Sequence, residues 1–188
     1  MTKLQINRII LGALICCILV TGVHAADTNV ATSTLTLGVN EVSLLKASSN
    51  VINLTLQQRD AGMSVEISKS DSTARLLISS VITSTTRTLS AKITSGTVPA
   101  GTLLKLTTLQ PNASFVGTTG TASSTVTLDA TDRPIVTGIG TCYSGTSASD
   151  GYPLKYTYAL DSNPSTYGSL RATTGVQIVV TLTLTAAQ

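Results

Sequence analysis

Tryptophan is absent from these 188 residues, phenylalanine and histidine occur once each, and charged side chains make up 11% of the chain. Each shortage removes a class of function. The sole imidazole, His24, follows an apolar run from Ile9 to Val20 that Lys3 and Arg8 precede. A basic start, a short hydrophobic stretch and a small residue before the cut define a secretory signal peptide. The run is shorter than the roughly 20 residues that a bilayer's hydrocarbon core requires. We therefore expect residues 1–25 to be a leader cleaved after Ala25, and the remainder, 26–188, to be secreted and to carry no transmembrane segment. Neither Cys16 nor Cys17 follows the small residue that a lipid-anchoring signal needs.

Without its leader the chain lacks histidine altogether and keeps one cysteine, Cys142. A Ser-His-Asp or Cys-His nucleophile, a His-ligated zinc, a thiolate cluster and an internal disulfide are then all excluded. We expect no enzyme and no cofactor. The 163 residues left (188 minus 25) suffice to bury a core without covalent staples. Ten Lys and Arg against nine Asp and Glu leave a net charge of +1 with no basic run, so no nucleic-acid partner is expected.

Threonine and serine are abundant instead, at 53 of those 163 residues. Threonine's branched Cβ suits a strand, and its hydroxyl keeps the outer face wet. Apolar residues recur at every second position: Leu35, Leu37 and Val39; Met63, Val65 and Ile67; Leu89, Ala91 and Ile93; Val176 to Leu184. That is the period of a half-buried strand, and no 3.6-residue stripe competes with it. The pattern predicts strands near 32–39, 41–47, 51–57, 62–68, 74–82, 85–94, 102–108, 123–128, 134–138, 152–160 and 175–185. Asp60-Ala61-Gly62, Pro99-Ala100-Gly101, Gln110-Pro111-Asn112 and Ser162-Asn163-Pro164 supply the turns, and 117–120 and 144–151 read as exposed loops. The fold class is all-β: one domain over 26–188 of about 8–11 short strands, arranged as a sandwich or a barrel.

Few residues are left for chemistry. Glu41 and Glu66 fall at polar strand positions. Asp129 and Asp132 lie three apart in a loop and are candidate calcium ligands or an acid/base pair; the competing reading is a turn closed by an Asp side chain, with Arg133 as partner. All five tyrosines fall between 143 and 167. Tyr156 and Tyr158 share a strand face with Leu154 and Leu160, while Tyr143, Tyr152 and Tyr167 sit beside Gly, Ser and Pro. Those three form a candidate binding face for a glycan or a protein.

Leu37-Gly38-Val39-Asn40-Glu41-Val42, Gly96-Thr97-Val98-Pro99-Ala100-Gly101-Thr102 and Val136-Thr137-Gly138-Ile139-Gly140 occur together with Gly151-Tyr152-Pro153-Leu154-Lys155-Tyr156 and an alternating final strand. In these the chain resembles a family of small secreted Thr/Ser-rich proteins of Gram-negative bacteria, a likeness that brings no catalytic or ligand residues. It is also similar, more distantly, to pilin-type subunits, without their disulfide, and that resemblance implies an immunoglobulin-like or pilin-like antiparallel β-sandwich. Two functions fit. One is a structural or adhesive, fimbria-like protein of the cell envelope whose partner is itself and whose segment 26–39 completes either its own sheet or a neighbour's. The other is a binding module for a cell-surface protein or glycan.

Overall fold

A computed structural model describes residues 30, 32–48, 51–111 and 114–186. The expected leader, with His24, lies outside them. The chain divides into two compact units, 1–38 and 39–188. The described residues of the first unit, 30 and 32–38, belong to no strand or helix.

The second unit is all-β and antiparallel throughout. Its strands are β1 (Val42–Ala47), β2 (Ser68–Asp71), β3 (Arg75–Val81), β4 (Arg87–Ser95), β5 (Thr102–Thr108), β6 (Val116–Gly117), β7 (Thr121–Ala122), β8 (Val126–Thr127), β9 (Arg133–Ile139), β10 (Cys142–Tyr143), β11 (Tyr152–Leu160) and β12 (Val179–Ala186). One sheet runs β6-β10-β3-β11-β5-β8, with β1 paired to β3 and β2 to β11; the other runs β12-β4-β9-β7. Leu76 and Ile78 of β3, Leu104 and Leu106 of β5 and Leu154 of β11 meet Leu89 and Ala91 of β4 and Ile135, Val136 and Ile139 of β9 in one buried cluster. Two sheets enclosing one core make a sandwich.

The period-two pattern acts as expected in β5, where Thr102, Leu104, Leu106 and Thr108 are buried and the residues between them are not. β9 departs from it, because the consecutive residues Ile135 and Val136 both point inward. Its register against β4 slips twice: Arg87 opposes Ile139, Leu89 opposes Val136, and Ser90 opposes Pro134. An extra residue in one strand restores the inward direction for its neighbour, and Gly138, at a φ of 74°, supplies the backbone one of these bulges requires.

Three expected strands are not formed. Residues 32–39 belong to no strand, and 51–57 and 62–67 are not laddered. The latter two still fold back on each other through the turn at Asp60 (Met63 N–H to the Asp60 carbonyl, 3.0 Å) and the bond from Glu66 N–H to the Gln57 carbonyl (2.9 Å). Ile52 and Leu54 reach the core from there, so the alternation directs side chains even where too few backbone bonds accumulate for a sheet. Loop 144–151 is also less exposed than expected. Ser144 is fully buried, its hydroxyl accepting from Ile78 N–H at 3.0 Å, and the Asp150 carboxylate accepts from Ser147 N–H at 2.7 Å. Ser162-Asn163-Pro164 opens a 3-10 helix, Pro164–Ser169, rather than a simple turn; the Asn163 side chain caps it at Ser165 N–H and proline occupies its first turn. Among the described residues no helix is long and apolar enough to cross a membrane.

Candidate functional site

The turn from β8 into β9 holds Asp129 and Asp132, and each carboxylate faces a different cation. Asp129 accepts from Thr131 N–H at 2.8 Å and is bridged by the Arg133 guanidinium, while Asp132 takes the Lys92 ammonium at 2.8 Å. Arg133, followed by the Thr131 bond, holds the Asp129 carboxyl below its ordinary range, and the carboxylate holds the Arg133 guanidinium above its own. A side chain that closes its own turn and is matched by a neighbouring cation has its lone pairs engaged. Among the described residues no three His, Cys, Asp or Glu side chains are grouped as metal ligands would be. A cleft of 540 Å³ beside this turn is lined by residues 93–98 and 128–130, none of them aromatic.

The three candidate tyrosines do not share a face. Tyr143 is exposed on β10, and Tyr167 is exposed on the 3-10 helix, its hydroxyl accepting from Val65 N–H at 3.3 Å. Tyr152 is fully buried, its ring 4.9 Å from that of Phe115 and its hydroxyl donating to the Thr119 carbonyl. The glycine and proline beside Tyr152 suggest a loop, but β11 begins at that residue and turns it into the core. Burial pushes the Tyr152 phenol well above its usual range. Cys142 is buried too, opposite Ser80 of β3, and burial raises its thiol, which makes it a poor nucleophile. Tyr156 and Tyr158 pair with Leu106 and Leu104 on β5, as their place among the leucines implied.

What stands out instead is one side of the sandwich. β12 pairs only with β4 among the described strands, β1 pairs only with β3, and the two are in contact. On this side the inward side chains stay partly uncovered: Leu45 on β1, and Val180, Leu182 and Leu184 on β12, all packed against the core. Their neighbours one strand further in, Leu89 and Ala91, are fully buried. The corner is tied by an ion pair between Glu41, one residue before β1, and Arg87, the first residue of β4 and the partner of Ala186. Arg87 is buried and Glu41 half exposed. Sequence reading missed this pair, although Arg87 has the same parity as Leu89, Ala91 and Ile93 and so was bound to point inward.

Residues 32–39 repeat the pattern of the open strand. Leu35, Leu37 and Val39 alternate with polar or small residues yet are 73%, 88% and 85% exposed. Thr34-Leu35-Thr36-Leu37 is the same tetrapeptide as Thr181-Leu182-Thr183-Leu184 of β12. A segment with strand periodicity and a strand edge with no described partner are complementary kinds of surface. Compared with protein-family models, curated proteins and solved structures, the chain matches none.

Proposed function

We propose that this protein is a non-catalytic structural or adhesive subunit of a Gram-negative cell surface, exported by its leader and assembled with copies of itself by exchange of the segment 32–39. One observation carries the reading: a stretch with strand periodicity leaves three large apolar side chains, Leu35, Leu37 and Val39, exposed to solvent. A monomer has no use for that arrangement, because exposed β-prone edges invite association. An outer surface of cross-strand hydroxyl pairs such as Thr94 with Thr181 (2.8 Å) and Ser70 with Thr157 (2.9 Å) is in keeping with a scaffold role.

Light scattering on the secreted protein after size-exclusion chromatography tests the reading. The natural chain should form multimers. The variant Leu35→Asp/Leu37→Asp should be monomeric with an unchanged unfolding midpoint, since both side chains are already in water. A natural chain that stays monomeric as its concentration rises would refute the reading, as would a variant that still assembles.

A further inference from the structure

We infer that the acceptor of this exchange is the edge of β12 that no described strand pairs: residues 32–39 of one copy add to β12 of the next, over the side that β12 shares with β1. The inference rests on the assembly reading above and names the surface it requires.

Elimination among the free edges points there first. β6, β7 and β8 are two residues long and offer one pair of backbone groups each. β2 is four residues and carries Lys69 and Asp71, charges of the kind that keep an edge from pairing. β1 is six residues with Lys46 near its end. β12 is eight residues, Val-Val-Thr-Leu-Thr-Leu-Thr-Ala, with no charge and no proline; its register irregularity falls at Val179/Val180, before the Thr-Leu repeat. The incoming segment is also eight residues and uncharged.

Chemistry matches along the strand as well. On its paired side β12 sets Thr183 opposite Ser90, Leu182 opposite Ala91 and Leu184 opposite Leu89, hydroxyl to hydroxyl and apolar to apolar. A second Thr-Leu-Thr-Leu on the open side repeats that arrangement. The leucines of residues 34–37 cover Leu182 and Leu184 from the flank, and the threonines join the outer hydroxyl rows. Cross-strand aliphatic and Thr–Thr pairs are what stabilise neighbouring strands. Register would be held by the alternation, since a slip of one residue puts leucine in water and threonine in the core.

Cross-linking between separately made proteins tests the acceptor. Thr36→Cys is introduced in one protein, and Thr181→Cys, Thr183→Cys or Thr185→Cys in three others, so that a slip of two residues is still caught. Cys142 stays in place, with Cys142→Ala in parallel as a control for its thiol. On mild oxidation of the mixtures, one of the three pairs should give a covalent dimer of the two proteins, and the matching double variant should give a ladder of covalent multimers. A double variant that closes on itself as a cross-linked monomer would show that the segment serves its own chain, and would overturn the inference. If the natural protein assembles but no mixture cross-links, the acceptor is another edge and only this inference fails; absence of assembly in the natural protein removes the underlying reading too.

Discussion

At the scale of single residues, two carboxylates, Asp71 and Asp129, are matched within their own turns. Asp71 accepts from the Thr73 hydroxyl at 2.7 Å and from its N–H at 2.9 Å, which closes the turn between β2 and β3; the Thr73 hydroxyl, then its N–H, holds the Asp71 carboxyl below its ordinary range. Arg133 and the Thr131 N–H do the same for Asp129. A carboxyl whose folded pKa is depressed adds stability that is complete above its unfolded value and disappears as the pH falls through the folded one. Unfolding midpoints in denaturant should therefore be flat near neutrality and decline on acidification below the ordinary carboxylate range. Asp129→Asn should lower the neutral midpoint slightly, because both groups are exposed, and should shallow the acid decline. Curves for the variant and the natural chain that fall in parallel would show that Asp129 does not contribute. Its turn role was legible in the spacing of Asp129, Thr131 and Arg133. The burial of Tyr152 was not, because neighbouring Gly and Pro signal a chain reversal without saying on which side of it a strand begins.

Elements are where the sequence is most readable, and where its limits have physical causes. β5 and β11 fall at 102–108 and 152–160, as the alternation of Leu104 with Leu106 and of Tyr156 with Tyr158 implies. The two-residue strands β6, β7 and β10 span a single period of a strand's alternation, too little to form a pattern, and exist because a neighbouring strand offers backbone partners. The bulges of β9 were equally hidden, since Ile135 and Val136 in succession break the alternation that identifies a strand. Gly138 and Gly96 show how unequal two glycines with positive φ are. A Cβ at Gly138 meets nothing within 4 Å, so Gly138→Ala costs only the backbone strain of about 1–2 kcal/mol. At Gly96 the same atom runs into the Gln177 carbonyl oxygen, on the segment that leads to β12. Gly96→Ala should cost more than about 3 kcal/mol and displace that segment. Urea unfolding of both variants checks the order, and a Gly138→Ala loss equal to that of Gly96→Ala would contradict it.

For the whole molecule the proposed assembly turns on how strongly copies would hold one another. Leu35, Leu37 and Val39 would go from nearly full exposure to burial, worth about 1.5–3 kcal/mol each or about 5–9 kcal/mol together. Association itself costs about 4–15 kcal/mol in lost translational and rotational freedom. The side chains alone thus barely meet the cost, and the margin falls to the backbone bonds of the added strand. Such assemblies should form reversibly and dissociate on dilution. Because neither β12 nor residues 32–39 carries a charge, no long-range attraction or repulsion acts across the junction for ions to screen. The concentration at which multimers appear, followed by light scattering, should therefore be nearly constant between low and high sodium chloride. Sulfate, which favours burial of apolar surface, should lower it. A steep loss of assembly with added sodium chloride would mean that charges hold the copies together, and would direct attention from β12 to the Lys69 and Asp71 edge of β2.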